Sequence, residues 1–257
     1  MSLGSALGYS ITILEIAVIV IAFRKKLPRL LPIFFAYLIW AVISDAAGFA
    51  IKGNSALYEQ FFPWEKLLDS LMQFGVLVEL GWSVLRPMRA VISRRAIFLI
   101  SLALIAAGAV VWPLTSFTVN HSWPAIWIGP LRIEQSSSIL SILFFLGLAA
   151  FSQFLAINWR DRELQVATGL GLYSVVSMGA ALLHTHPGSI GQFDIIENFV
   201  ALSYLCSLLY WGVSFIQKEA PRQEFSPRMQ SILLTVAGVA RANRVALVED
   251  TRKNSVR

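Results

Sequence analysis

Ile11-Thr12-Ile13-Leu14-Glu15-Ile16-Ala17-Val18-Ile19-Val20-Ile21-Ala22-Phe23 runs directly into Arg24-Lys25-Lys26. The apolar run belongs to a block over residues 7–23, close to the roughly 20 residues that cross a bilayer as a helix. A cleaved signal peptide carries its positive charge before the apolar run. Here the charge follows it, with no small-residue cleavage site outside. The block predicts a retained span that starts outside and ends at the cytoplasmic surface.

Six similar blocks follow, over residues 31–51, 67–85, 96–112, 139–157, 164–183 and 195–216. They are long and continuous, without the alternation of an outer-membrane barrel strand. Helices also satisfy every backbone group internally, as hydrocarbon demands. The chain is 56% apolar and 14% charged, against roughly 25% charged residues in soluble domains. These features predict an all-α integral membrane bundle of seven helices over residues 1–217, followed by a basic cytoplasmic tail over 218–257. Cys206 is the single cysteine, so no internal disulfide forms.

The net charge of +6 would suggest nucleic acid in a soluble protein. Its placement gives a better account, and no nucleic-acid partner is expected. Of the 21 Lys and Arg, all but Lys52, Lys66 and Arg132 fall in the first, third and fifth connectors or in the tail. The positive-inside rule then sets the N-terminus outside and the C-terminus in the cytoplasm. Trp64, Trp112, Trp123 and Trp127 are expected at the outer membrane edge, and Trp82, Trp159 and Trp211 at the inner one, since indoles favour these interfaces.

The connector over residues 113–135 contains Trp123-Pro124 and Gly129-Pro130 and is expected to fold over the outer mouth. Asn120-His121-Ser122 matches the glycosylation pattern, relevant only in a eukaryotic source. In the tail, Ser226-Pro227 starts a predicted amphipathic helix with Met229, Ile232, Leu233, Val236 and Ala240 on one face. Its Arg228, Arg241 and Arg244 suit an anionic inner leaflet or a cytoplasmic protein partner. Ala167/Gly171 and Ser177/Ala181 are small-xxx-small pairs, which permit close helix packing. Spans 1–3 and 5–7 share an orientation. Val42 to Ala47 resembles Val175 to Ala180, and Asp69/Phe74 matches the spacing of Asp194/Phe199, so a parallel repeat is allowed.

The candidate functional residues are intramembrane polar groups. A carboxyl at membrane depth costs ~2.5–3.5 kcal/mol on insertion scales, and such groups face the bundle interior. Glu15 falls near mid-membrane, Asp45 and Asp69 in the outer half, and Glu79 in the inner half. Gln73 lies one turn from Asp69 on the same face, and Tyr204 adds a further polar group. With no Lys or Arg read inside the spans, a neutral acid hydrogen-bonded to Ser, Tyr or backbone of a neighbouring helix is the structural alternative. A ligand or proton pathway through Glu15, Asp45, Asp69, Gln73, Glu79 and Tyr204 is the functional one.

His184, His186, Asp194 and Glu197 gather near the outer mouth. They offer two imidazoles and two carboxylates, which zinc accepts, but His-x-His at a helix end directs its rings apart. No metal and no cofactor is therefore assigned. His-Glu-x-x-His, Gly-x-Ser-x-Gly and Walker patterns are missing, so no catalytic residue is named. Residues 195–216 contain no lysine for a retinal Schiff base.

Asn158-Trp159-Arg160, the stretch from Gly169 to Val176, Ser203-Tyr204-Leu205 and Leu209-Tyr210-Trp211 resemble a group of uncharacterised seven-helix inner-membrane proteins of acidobacteria. The resemblance implies a bacterial inner membrane and no activity. The sequence thus predicts a multi-pass, receptor-like protein that takes a small ligand from the outer side and signals through a separate partner. A solute or proton-coupled transporter, or a structural subunit of a membrane complex, is the alternative.

Overall fold

A computed structural model describes residues 3–51, 53–84, 95–117, 125–151, 161–184 and 190–217 of the chain. All regular structure among them is helical. The elements are α1 (Leu3–Arg24), α2 (Leu27–Leu30), α3 (Pro32–Ile51), α4 (Ser55–Val84), α5 (Arg95–Val111), a 3₁₀ segment (Trp112–Phe117), α6 (Ala125–Phe151), α7 (Arg162–His184) and α8 (Ile190–Ile216).

The first turn-back is short because two local devices break the helix. Lys26 takes a left-handed conformation at φ 58°, and Pro32 opens α3, where its missing N–H costs nothing. Asn54 starts α4 by accepting the Leu57 N–H at 3.3 Å, the usual job of an N-cap asparagine.

Each long helix has one inward stripe. On α1 the buried residues Ile11, Glu15, Val18 and Ala22 recur every three or four positions, while Ile13, Ile16, Val20 and Phe23 are exposed. That spacing puts the two sets on opposite faces of one helix. The polarity is inverted relative to a soluble protein: large aliphatic side chains cover the outside and a carboxyl points in. Such a surface is stable in lipid and a liability in water.

The helices close into a ring. α1 packs on α3, α3 on α4, α4 on α6, α6 on α7, α7 on α8, and α8 back on α1. α5 stands outside this ring, against α4, α6 and the 3₁₀ segment. The six ring helices contain the six segments long and apolar enough to cross a membrane. The expected fourth span falls on α5, whose described apolar part, Ser101–Val111, is shorter. Six candidate spans are therefore shown where seven were predicted.

Directions alternate within α1, α3 and α4 and within α6, α7 and α8, whereas α8 runs parallel to α1 and α6 parallel to α4. At one end, here called the lower end, Lys25 Nζ donates to the Ile216 carbonyl at 2.9 Å, joining the last turns of α1 and α8. At the upper end, Tyr9 of α1 stacks on Phe49 of α3, with ring centroids 5.4 Å apart.

The lower half is closely packed. Phe34, Trp211 and Phe215 meet edge to face, at 5.1 and 6.1 Å between centroids, amid Leu38, Leu80, Leu164, Leu170 and Leu208. Gly169 is required here: a Cβ on it would run into the Trp211 indole. Trp211 was expected at the inner membrane edge, yet it is 1% exposed. Its Nε1 donates to the Gln165 carbonyl at 3.2 Å, so it belongs to the core. Trp64 and Trp112 are exposed towards the upper end, as an interfacial role requires. The side chains of Trp123, Trp127 and Trp159, the Asn120 pattern and the whole tail from Lys218 lie outside the described residues.

Two further boundaries differ from the sequence reading. α4 continues through Pro63 and α6 through Pro130. A proline removes one backbone bond and crowds the preceding turn, and in both helices the chain absorbs this. Residues 52–66 and 113–135 are thus not plain connectors. Glu65, Lys66, Arg132, Glu134 and Gln135 all stand on ring helices.

Candidate functional site

The upper half of the ring encloses a cavity of about 440 Å³. Every ring helix contributes to its wall. α1 supplies Glu15; α3 supplies Tyr37, Ala41, Ser44 and Asp45; α4 supplies Phe62, Glu65, Lys66 and Asp69. α6 supplies Leu131, Glu134 and Gln135; α7 supplies Tyr173, Ser177, Ala180 and Ala181; α8 supplies Glu197, Val200, Ala201 and Tyr204. The helical repeat explains how so few residues per helix reach the space. Asp69 follows Glu65 by four positions, and Ser177 and Ala181 follow Tyr173 by four and eight, so each set shares a face.

Of the residues singled out from sequence, Glu15, Asp45, Asp69, Tyr204 and Glu197 meet at this cavity. Glu197 is exposed and marks the mouth. Glu15 is 1% exposed and forms the floor. Its Oε1 accepts the Tyr204 hydroxyl at 2.7 Å, while no donor among the described residues reaches its Oε2. Tyr204 stands edge to face with Tyr173, centroids 5.4 Å apart. Along the wall, the Thr12 hydroxyl lies 3.2 Å from Asp45 Oδ2 and 3.2 Å from the Gly8 carbonyl.

Lys66 corrects the expectation that no cation lies among the spans. Its Nζ donates to Glu134 Oε1 at 2.9 Å and sits 5.6 Å from the Phe62 ring centroid. This ion pair joins α4 to α6 across the cavity wall. Glu65 and Lys66 were missed because the apolar block was started at residue 67, and Glu134 and Gln135 because Gly129-Pro130 suggested a loop. Tyr37 and Tyr173 were missed because an aromatic residue in an apolar block reads as core.

Gln73 and Glu79 do not line the cavity. Gln73 Oε1 accepts the Ser137 hydroxyl at 2.7 Å, a buried tie between α4 and α6. Glu79 accepts the backbone N–H groups of Ile33 and Phe34, each at 2.8 Å. Those are free donors of the first turn of α3, where the helix dipole favours a carboxylate. Arg162 was expected as a connector charge facing the cytoplasm, but it is buried. It donates to the carbonyls of Ser214 at 2.9 Å, Phe215 at 3.4 Å and Gln217 at 3.1 Å, closing the last turn of α8. Ser83 donates to Glu163 at 2.7 Å, linking α4 to α7 beneath the ring. His184 ends α7 and Asp194 lies in α8, but their side chains, and all of His186, fall outside the described residues.

Chemically, the cavity offers many acceptors, few donors and several aromatic faces. Its volume sits within the roughly 300–1,000 Å³ range of small-molecule sites. The chain matches no family model, no curated protein and no solved structure.

Proposed function

We propose that this multi-pass membrane protein binds a small molecule from the outer side, in the cavity between its six ring helices, and passes ligand occupancy on to a separate partner. One observation carries this reading: Glu15, Asp45 and Asp69, on three different helices, turn towards one shared space. Acids serving only as local helix ties would be spent on separate contacts, as Glu79 is.

The orientation belongs to the proposal. The lower end carries Arg24, Lys25, Arg29 and Arg162, which supports a cytoplasmic lower face and an outward cavity mouth. α5 is proposed as the seventh span, since the charge alternation requires a crossing between α4 and α6. The resemblance carried by residues 158–160 and 169–176 favours a bacterial inner membrane.

A second reading has its own support. Around the ring, α1, α3 and α4 are consecutive, as are α6, α7 and α8, with the cavity between the two triplets. Two parallel three-helix halves flanking a central site are a transporter arrangement, and Ser44 and Ser177, matched in the suspected repeat, both line the cavity. The packed lower half would then represent one closed gate.

A thermal-shift screen of the purified full chain in nanodiscs against small polar metabolites tests the shared claim. A ligand at 100 times its Kd adds about 2.7 kcal/mol of stability. At least one compound is expected to raise the Tm of the wild type, but not that of Ala180→Trp or Ala181→Phe, which fill the cavity. A screen in which no compound separates wild type from both variants would overturn the reading. Uptake of the hit into proteoliposomes, or its failure to cross, then decides between transporter and receptor.

A further inference from the structure

The wall of the cavity is one-sided in charge. Glu15, Asp45, Glu65, Asp69, Glu134 and Glu197 face it, against Lys66 among the described residues. That lysine is already paired with Glu134 at 2.9 Å. The remaining acids surround a space too large for one bare ion and large enough for a small organic molecule. Among the described residues, no three His, Cys, Asp or Glu side chains stand together as a metal site.

Two independent features point to the occupant. The deepest acid is incomplete: Glu15 is 1% exposed, and its Oε2 has no donor within reach among the described residues. A buried carboxylate oxygen without a donor is costly, because it has given up water and gained no partner. Beside it stand aromatic faces, with Tyr173 and Tyr204 in edge-to-face contact at 5.4 Å and Tyr37 also lining the cavity. An ammonium group is the chemistry that uses both, donating to a carboxylate while lying over an aromatic ring. An anion would meet acids from α1, α3, α4, α6 and α8, and a neutral ligand would gain nothing from their charge.

We infer that the cavity binds a small organic cation, a protonated or quaternary amine, with its charged head seated against Glu15 Oε2 and the Tyr173–Tyr204 pair. This deepens the proposal of an outward-open ligand site and rests on it. Asp45 and Asp69 line the route from the mouth and attract the cation inward. Lys66 is paired with Glu134, and one lysine against six acids leaves the wall net acidic.

Cysteine reactivity separates the two claims. In a Cys206→Ser background, Ala201→Cys and, as a second position, Ser44→Cys are placed on the cavity wall of the full chain in nanodiscs. Each is treated with a cationic and an anionic methanethiosulfonate reagent of similar size. An acidic cleft that concentrates cations raises their rate by about tenfold or more, so the cationic reagent is expected to react at least that much faster at both positions. Phenethylammonium is expected to slow the labelling, while phenylacetate at the same concentration does not. Glu15→Gln is expected to weaken protection by phenethylammonium about tenfold without closing the site to reagent. Equal rates for the two reagents, or protection by phenylacetate, would overturn the cation assignment and leave the open cavity standing. Failure of both reagents at both positions would overturn the open cavity itself, and the cation assignment with it.

Discussion

Glu79 and Glu15 are both buried glutamates inside helices, and the bundle uses them in opposite ways. In the lower half, Glu79 spends both oxygens on the first turn of α3, at 2.8 Å each. In the upper half, Glu15 spends one oxygen on Tyr204 and leaves the other facing the cavity. The same division holds for the halves as a whole. Below, Arg162, Ser83, Glu163 and Trp211 tie helix ends together around interlocked aromatic rings. Above, acids from α1, α3, α4, α6 and α8 surround open volume. An intramembrane carboxyl is therefore not a functional signal by type alone. Its meaning depends on whether a neighbouring helix end uses up its acceptors.

This contrast breaks most sharply at Gly169. A side chain there would enter the space of the Trp211 indole, which is wedged between α7, α8 and Phe34. Overpacking in a dense core typically costs about 1–3 kcal/mol, and more where the obstructing ring has nowhere to go. Gly169→Val is expected to abolish recovery of monodisperse protein, read by size-exclusion chromatography of a fluorescent fusion. Gly179, where a Cβ meets nothing within 4 Å, is the control, and Gly179→Ala should leave recovery unchanged. Equal recovery of Gly169→Val and Gly179→Ala would show that the lower half is not packed as described.

Glu79→Ala comes next in size. It removes acceptors for two backbone donors at a buried helix end, where hydrogen bonds to a charged group are worth about 1.5–3 kcal/mol each. The neighbouring chain can relax or admit water, so a net loss of about 2–4 kcal/mol is expected. The measurement is the unfolding midpoint in nanodiscs, with Glu79→Gln recovering part of the loss because one acceptor remains. A Glu79→Ala midpoint within error of wild type would sink the assignment of Glu79 as a helix-end tie.

Much of this arrangement was legible in the sequence, for one physical reason. Lipid makes helix the only economical span, so residues 31–51 predict α3 almost to the residue and 195–216 predict the end of α8, which starts earlier, at Ile190. Glu15, Asp45 and Asp69 announced themselves because charge in an apolar run needs a reason. The sequence was silent wherever the deciding partner was remote. Glu79 meets Ile33 and Phe34, more than 40 positions away, and nothing near Glu79 predicts them. Arg162 looked like one more cytoplasmic charge until the end of α8 came to it. Helix starts misled in a different way. Gly129-Pro130 was read as a turn, but α6 runs through it, and the block at 67–85 left out the start of a helix that Asn54 caps ahead of Pro63. The polar periodicity from Glu65 to Asp69 to Gln73, at four-residue steps, was the signal that could have extended that helix.

The smallest stability effect is expected where the functional effect is largest. Asp45 and Asp69 face the cavity rather than a helix end, so Asp45→Asn and Asp69→Asn remove charge without orphaning a backbone donor. The Thr12 hydroxyl near Asp45 keeps an acceptor in the Asn oxygen and in the Gly8 carbonyl. Substitutions of this kind usually shift stability by about 0.5 kcal/mol or less. Removing like charges from an acidic cleft can even raise the midpoint, because the acids repel one another across a space poorly screened by solvent. The double variant should therefore unfold within a degree or two of wild type, by the scaling of about 2–4 °C per kcal/mol for chains of this size. It should nevertheless lose most of any cation-dependent stabilisation. A double variant that unfolds as early as Glu79→Ala would erase the difference between the halves and make the cavity acids structural ties as well.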